Sequence, residues 1–169
     1  MRTLTLLMVL TSLMLSAAIF GFFYAWVCST MWGLDTADPR VAIEAMQAMN
    51  ASVRNATFAP AFFGTPVIAA LTALLLWRQK YHKSAALFGL SGAVYLCFGL
   101  ILTMLVNVPM NEALATLTAP TDLAAARQIW QDYSPEWQFW NQTRTVASGV
   151  AFLMATIGIL HLPQFTKAK

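Results

Sequence analysis

The side chains in this sequence that could do chemistry are amides and one arginine, and they fall in two short segments. Asn107 and Asn111 lie one helical turn apart in the first segment, which ends in Glu112. The second segment holds a ridge at helical spacing that can face inward, made of Trp137, Asn141, Arg144 and Ser148. Amide and guanidinium N–H groups donate hydrogen bonds, either to a bound molecule or to a neighbouring helix.

The composition shows what kind of chain must position these residues. Of its 169 residues, 59% are hydrophobic and 10% are charged, whereas soluble proteins carry about 25% charged residues. Charged residues are absent from four long stretches, residues 4–28, 58–77, 85–108 and about 146–162. Since about 20 helical residues cross a bilayer, the sequence predicts an all-α integral membrane four-helix bundle in a lipid bilayer. This composition excludes a disordered chain and a nucleic-acid-binding protein.

The basic residues predict how the bundle is oriented. Six of them flank the apolar stretches without any acid: Arg2, Arg78, Lys80, Lys83, Lys167 and Lys169. All seven acids lie in the other two loops. The positive-inside rule therefore predicts a multi-pass cell-membrane protein with both termini and loop 78–84 in the cytoplasm. Loops 29–57 and 109–137 are then outside, and residues 1–169 form one membrane domain.

Several other chemistries find little support. Cys28 and Cys97 lie in different spans and at different depths, so we expect two small buried apolar residues and no disulfide. His82 and His161 lie on the predicted inner side, which carries no acid, and the outer acids show no paired spacing, so no metal site is expected. The sequence has no GxSxG motif that would position an activated serine.

The first outer loop is expected to contain a helix of its own. Asp38-Pro39 is typical of a helix start, and the residues after it place apolar and polar side chains on opposite faces. The apolar stripe is Ala42, Ala45, Met46, Met49 and Val53. This amphipathic helix either rests on the bundle mouth and in the headgroups, or covers a pocket as a lid.

The sequence of the second outer loop predicts that the helical structure is interrupted before the fourth span. Pro109 should kink the third span near the outer interface. Thr121-Asp122 should then cap a short helix that ends at Tyr133, and Ser134-Pro135 is typical of a new helix start. The fourth span is therefore expected to cross the membrane over about residues 138–162.

The small and the aromatic residues also recur at positions that bear on how the helices pack. Three stripes of small residues at four-residue steps predict close helix packing or a homo-oligomer: Ala17-Gly21-Ala25, Ala85-Gly89-Ala93 and Ala147-Ala151-Ala155. Five of the six tryptophans lie toward the predicted outer side: Trp26, Trp32, Trp130, Trp137 and Trp140. They form either an interfacial aromatic belt or, with the amides and the arginine among them, the wall of a pocket.

Three segments of the chain resemble a known family. They are Gly21-Phe-Phe-Tyr24 in the first span, Asn107-Val-Pro-Met-Asn111 at the end of the third, and Trp137-x-x-Trp140-Asn141-x-x-Arg144-Thr145 at the start of the fourth. In these segments the chain looks like the anthrone oxygenase-like family of small four-helix membrane proteins, also named domain of unknown function 1772. The resemblance implies a four-helix bundle and, for characterised members, oxygenation of anthrones to anthraquinones without a recognised metal or flavin cofactor.

An anthrone is a flat apolar tricycle with an acidic methylene group. An enzyme for it needs an aromatic slot, a base, and hydrogen-bond donors for the enolate that reacts with dioxygen. The candidates for the base and the donors are Asn107, Asn111, Glu112, Asn141 and Arg144. The candidates for the substrate-binding surface are Tyr24, Trp137, Trp140 and Ser148.

Two alternatives stay open at this point. Glu112 could serve as the base, or it could instead form an ion pair with Arg144 across the contact of the third and fourth spans. The protein could also be a non-catalytic membrane protein that binds a hydrophobic ligand or a partner subunit. In that case the amides and the arginine serve only as hydrogen-bonding groups between helices.

Overall fold

The described part of the chain, residues 3–162 of this computed structural model, consists of five helices. They are α1 (Thr3–Thr36), α2 (Pro39–Ser52), α3 (Ala59–Arg78), α4 (His82–Ala115) and α5 (Leu123–Leu160). Helices α1, α3, α4 and α5 are long and apolar enough to cross a membrane. The predicted all-α four-helix bundle is therefore confirmed. Three of the basic residues that predicted its orientation, Arg2, Lys167 and Lys169, lie outside the described residues.

The four long helices form an up-and-down bundle, and α2 lies across one end of it. Helix α1 packs against α3 and α5, and α4 packs against the same two helices. The turn between α3 and α4 is short, and Lys80 within it has a positive φ of 65°. We call the end with this turn the hairpin end and the opposite end, which α2 covers, the α2 end.

The helices bury many small and polar side chains and expose many large apolar ones. Buried positions along α5 follow steps of three and four residues: Trp137, Asn141, Arg144, Ser148, Ala151, Ala155 and Gly158. Outward-facing side chains such as Leu105 and Leu153 are largely exposed. Water would not tolerate so much apolar surface, but hydrocarbon does, and small buried residues let the helix backbones approach closely. The bundle is therefore built for a lipid environment.

Helix α5 is longer than predicted, and no new helix begins at Ser134-Pro135. The Ser134 hydroxyl does not cap a helix; it donates to the carboxylate of Asp35 at 2.7 Å, and the indole N–H of Trp130 donates to the same oxygen at 2.9 Å. Beyond the proline, the side-chain amide of Gln138 donates to the other oxygen of Asp35 at 2.8 Å, so the turns on both sides of Pro135 are tied to the end of α1. The helix thus continues through the proline, whose own side chain lies on the exposed face.

Helix α2 begins and packs as the sequence predicts. The Asp38 side chain accepts a hydrogen bond from the backbone N–H of Arg40 at 2.9 Å, and Pro39 is the first helical residue. Ala42 and Met46 of the predicted stripe are buried, together with Ile43, which the prediction missed. The side-chain amide of Gln47 donates to two backbone carbonyls near the end of α4. The helix therefore rests on the bundle mouth.

Wide π-helical turns interrupt α1 and α4 near the α2 end. They cover Trp26–Thr30 in α1 and both Leu96–Ile101 and Thr103–Asn107 in α4. The last of these segments ends two residues before Pro109, which lies in the first turn of the α-helical segment that follows. A π turn shifts the side chains after it around the helix axis, and such turns are often found at functional sites.

The sequence prediction that both cysteines are buried is wrong. Cys28 and Cys97 are exposed on the outside of the bundle, where hydrocarbon rather than protein would surround them. Gly21 makes no close helix contact within the described chain, since no atom of another helix lies within 4 Å of the place where its Cβ would stand. A close approach does occur at Gly92, where a Cβ would meet that of Ala69 at 3.0 Å. Of the other two stripes, Ala85, Ala151 and Ala155 are buried as predicted.

Candidate functional site

The α2 end of the bundle contains a cavity of about 1060 Å³. Helices α1, α3, α4 and α5 contribute to it, as do α2 and the connection that follows α2. Much of its wall is aromatic, with contributions from Phe22, Phe23, Trp26, Phe58, Phe62 and Trp137. Small-molecule sites in proteins measure about 300–1,000 Å³ and are mostly apolar with a few polar groups. The cavity is therefore large enough for a polycyclic organic molecule.

Arg144 lies in the cavity wall and is held there by neutral groups. Only 5% of the residue is exposed. Its Nε donates to Oδ1 of Asn141 at 3.0 Å and its Nη1 to Oγ1 of Thr103 at 3.2 Å. The guanidinium carbon lies 4.5 Å from the ring centroid of Phe23 and 5.0 Å from that of Trp137. Two aromatic faces and two hydrogen bonds therefore fix the orientation of the cation.

No carboxylate among the described residues neutralises Arg144. All seven acidic side chains lie among these residues, and their ion pairs within residues 3–162 are those of Arg40 with Asp38 and of Arg54 with Glu112. Within the described part of the chain, Nη2 of Arg144 also donates to no acceptor. A buried charge without a counter-charge is unfavourable in a medium of low dielectric constant. The cavity wall thus carries an uncompensated positive charge.

Asn111 presents a second donor at the cavity wall. Its Oδ1 accepts hydrogen bonds from the hydroxyl of Tyr133 and from the indole N–H of Trp137, both at 2.8 Å. The indole N–H can only donate, so this interaction identifies the oxygen of the Asn111 amide. The other end of that amide is then Nδ2, which has no acceptor among residues 3–162. Asn111 therefore orients Trp137 through its oxygen, while the two N–H groups of its Nδ2 have no acceptor among the described residues.

Two further amides have unsatisfied polar atoms. Asn107 is 0% exposed, and neither its Oδ1 nor its Nδ2 has a partner among the described residues. It lies between Thr103 and Asn111 on one face of α4. Asn50 of α2 lines the cavity, and its Nδ2 is buried without a partner. Asn107 is not among the cavity-lining residues. Buried polar atoms are nearly always hydrogen-bonded, so the unsatisfied Nδ2 of Asn50 in the cavity wall indicates a place where a ligand or water binds.

The predicted ion pair between Glu112 and Arg144 is absent from the structure. Oε1 of Glu112 instead accepts from Nη2 of Arg54 at 3.2 Å, and the two side chains are 59% and 60% exposed. Successive helix residues point about 100° apart, so Glu112 faces outward while its neighbour Asn111 faces the bundle. Both partners of this pair line the cavity, which places the carboxylate at the mouth.

The remaining sequence-predicted residues divide into two groups. Asn141 and Ser148 are buried next to Arg144: the amide of Asn141 donates to the backbone carbonyl of Phe23 at 3.3 Å, and the Ser148 hydroxyl donates to the carbonyl of Arg144 at 2.6 Å. Tyr24 and Trp140 are not among the cavity-lining residues. Tyr24 is 50% exposed on the bundle surface.

Sequence reasoning missed several residues that shape the site. Thr103 is one helical turn before Asn107 on the same face of α4, so helical periodicity could have identified it. The buried positions of α1 recur at steps of three and four residues, and Phe23 is one of them. The adjacent Tyr24, which was chosen from the sequence, is not. Asn50 gave no such signal, because only the fold brings α2 over the cavity.

The fold and the cavity define the class of this protein: a membrane-spanning four-helix bundle with an aromatic-walled cavity, large enough for a ligand, at one end. The family model of anthrone oxygenase matches residues 46–154, which is more than half of the chain. The chain therefore belongs to the anthrone oxygenase family. No curated protein and no solved structure matches it.

Proposed function

We propose that the protein binds a lipophilic aromatic molecule of the anthrone type in the cavity and oxygenates it with dioxygen, without a metal or flavin. The observation that carries this proposal is the cavity itself. It combines ring walls, a volume suited to three fused rings and a buried guanidinium with an unused donor. Membership of the anthrone oxygenase family supports the same reaction.

The proposed reaction replaces the methylene hydrogens of an anthrone by oxygen. A base removes one proton, and the resulting enolate reacts with dioxygen to give a hydroperoxide, which loses water to leave the ketone. The net change is anthrone plus dioxygen to anthraquinone plus water. Arg144 and Asn111 would stabilise the enolate oxygen by hydrogen bonds, because their free N–H groups lie at the cavity wall.

Glu112 is our candidate for the base. It is the only carboxylate among the described residues that line the cavity. Its position at the mouth, beside Arg54, leaves the carboxylate in contact with water, to which it can pass the proton on. Trp137 would serve as a wall against which the flat substrate stacks, in an orientation fixed by Asn111. Asn107, Asn141 and Ser148 would support the site from behind.

We also propose how a hydrophobic substrate arrives. Phe63 and Met104 line the cavity and are also exposed on the lateral surface of the bundle, where lipid would lie. A lipophilic molecule could therefore enter from the bilayer. By the positive-inside rule, the α2 end faces away from the cytoplasm, and entry would be from the outer leaflet of the cell membrane.

A second candidate function is binding without chemistry. It is favoured by the ion pair of Glu112 with Arg54, which holds the only nearby carboxylate toward solvent. It is also favoured by the hydrogen bonds of Asn111 and Asn141, which link helices as structural groups do in membrane proteins.

Oxygen consumption distinguishes the two functions. The purified protein in detergent would be tested against a panel of anthrones and hydroquinones, with protein-free detergent as the blank and an absorption spectrum recorded first for any bound chromophore. The oxygenase proposal expects consumption above the blank for at least one anthrone. No consumption across the panel would leave only the binding function.

A further inference from the structure

We propose that the cavity selects an anion: a fused aromatic ring system that carries one ionised oxygen group, which Arg144 neutralises. The proposal rests on the proposed function only in taking the cavity as a ligand site, and it adds the charge of the ligand. It holds for a catalytic and for a non-catalytic protein.

The charges of the chain lead to this proposal. Asp35 accepts from Trp130, Ser134 and Gln138, while Asp38 and Glu112 are paired with other arginines. None of the four other acids, Glu44, Asp122, Asp132 and Glu136, forms an ion pair with Arg144 within residues 3–162 either. Arg144 is nonetheless buried, and burial without a counter-charge is costly. A ligand that supplies the missing negative charge would bind with a gain that a neutral ligand cannot obtain.

The hydrogen-bonding groups agree with the charge. Nη2 of Arg144 and Nδ2 of Asn111 are both donors and both lack acceptors among residues 3–162. Oγ1 of Thr103 already accepts from Arg144 and donates to the carbonyl of Gly99 at 2.6 Å. This part of the cavity therefore offers donors, which suit a carboxylate, phenolate or enolate oxygen and do not suit an ammonium group.

The aromatic walls indicate the body of the ligand. Rings contact one another in a continuous series. The distances between ring centroids are 5.3 Å for Phe62 and Phe58, 4.8 Å for Phe58 and Phe22, 6.5 Å for Phe22 and Trp26, and 5.1 Å for Trp26 and Trp137. Offset and edge contacts with such a surface favour flat ring systems over flexible alkyl chains. We therefore expect an aromatic anion rather than a fatty acid.

The test compares two probes of nearly equal shape that differ in charge. Binding of 2-naphthoate and of 2-naphthamide to the full-length protein in dodecyl maltoside would be measured by titration calorimetry. Hydrogen bonds to charged groups are worth about 1.5–3 kcal/mol, so 2-naphthoate should bind roughly ten- to hundredfold more tightly. Equal affinities, or tighter binding of the amide, would overturn the proposal without any variant being made.

Matched variants locate the effect. Arg144→Gln should remove the preference for 2-naphthoate, whereas Arg127→Gln, which changes the net charge equally at an exposed position outside the cavity, should retain it. An unchanged preference in Arg144→Gln would contradict the proposal. Decanoate serves as the aliphatic probe and should bind at least tenfold more weakly than 2-naphthoate; equal binding would refute the aromatic ligand.

The outcome is separable from that of the proposed function. Tight binding of 2-naphthoate with no oxygen consumption on any anthrone would support the anion site and reject the oxygenase. Oxygen consumption without any preference for 2-naphthoate would do the reverse.

Discussion

Arg144 is fixed by partners that hold a cation in place without neutralising it. Asn141 and Thr103 accept two of its hydrogen bonds, and the rings of Phe23 and Trp137 cover its faces. A structural arginine in a membrane helix would be expected to pair with a carboxylate. We infer that its position is retained for ligand binding at a cost to stability, which is a common compromise at functional sites.

Replacing Arg144 by methionine should therefore change the stability of the protein little. Substituting hydrophobic residues for buried ion pairs is often neutral or stabilising by about 1–4 kcal/mol, and here there is no ion pair to lose. The loss of the cation–π contacts opposes this by about 1–2 kcal/mol, and the buried Oδ1 of Asn141, left without its donor, opposes it by about 1–3 kcal/mol. We expect the melting temperature in detergent to stay close to that of the wild type, while binding of 2-naphthoate is lost. A fall in the free energy of unfolding by about 3 kcal/mol or more would show that Arg144 is mainly structural.

Asn111 offers a contrasting case, because both groups that it serves are held inside the bundle. Asn111→Leu would leave the Tyr133 hydroxyl and the Trp137 indole N–H without their acceptor. Each unsatisfied buried group costs about 1–3 kcal/mol, so this variant should melt well below the wild type. Asn111→Asp keeps an acceptor at the same place and should melt close to the wild type. Equal melting temperatures for the two variants would mean that these hydrogen bonds contribute little to the stability of the protein.

Helix α2 illustrates what a single element contributes to the site. It buries its apolar stripe against the bundle, and Met49 and Asn50 close one side of the cavity. Its start depends on Asp38, whose carboxylate bonds the backbone N–H, the Nε and the Nη2 of Arg40. Since this start is exposed to solvent, its stability should respond to pH.

The pH dependence has a definite direction. The hydrogen bonds from Arg40 lower the pKa of Asp38 to about 2 from its ordinary 3.8. A depressed pKa in the folded state means that the stabilisation is present above pH 3.8 and is lost as the pH falls toward 2. Asp38→Asn retains a good cap but does not titrate there. We expect the wild type to melt at a higher temperature than this variant at pH 6 and to lose that difference as the pH falls to 2.5. A difference in melting temperature that stays constant with pH would contradict the role given to Asp38.

Sequence motifs predicted helix starts correctly where the structure there depends only on residues that are neighbours in the sequence. The cap at Asp38-Pro39 and the apolar stripe after it depend on neighbouring residues, and both are present. Ser134-Pro135 carries an equally good local signal, yet α5 continues through it, because Asp35 at the distant end of α1 bonds both Trp130 and Ser134. The partner of Glu112 was mispredicted for a related reason, since Arg54 approaches it only through the path of the connection after α2.

For the molecule as a whole, composition alone predicted the architecture. A chain with 10% charged residues and four apolar stretches has few folds other than a bundle of membrane helices. The predicted ridge from Trp137 to Ser148 is buried as expected. The cavity could not be predicted, because it depends on how five helices pack and on the π turns that rotate α1 and α4.

Labelling tests the proposed orientation. Asp132→Cys at the α2 end and Lys83→Cys near the hairpin end would be made in a protein whose native cysteines are replaced by serine; both positions are exposed. With a membrane-impermeant maleimide on intact cells, Asp132→Cys should react and Lys83→Cys should react only after lysis. The reverse pattern would place the cavity on the cytoplasmic side.

The central claim is that this cavity performs an oxygenation that depends on Arg144. The most direct measurement is the initial rate of dioxygen uptake with an anthrone, for the wild type, Arg144→Gln and Arg127→Gln. Losing one donor to a developing oxyanion typically lowers the rate about 10²–10³-fold. We expect wild type and Arg127→Gln to consume one dioxygen per anthrone at similar rates, with Arg144→Gln slower by that factor. Equal rates for Arg144→Gln and wild type would contradict the account.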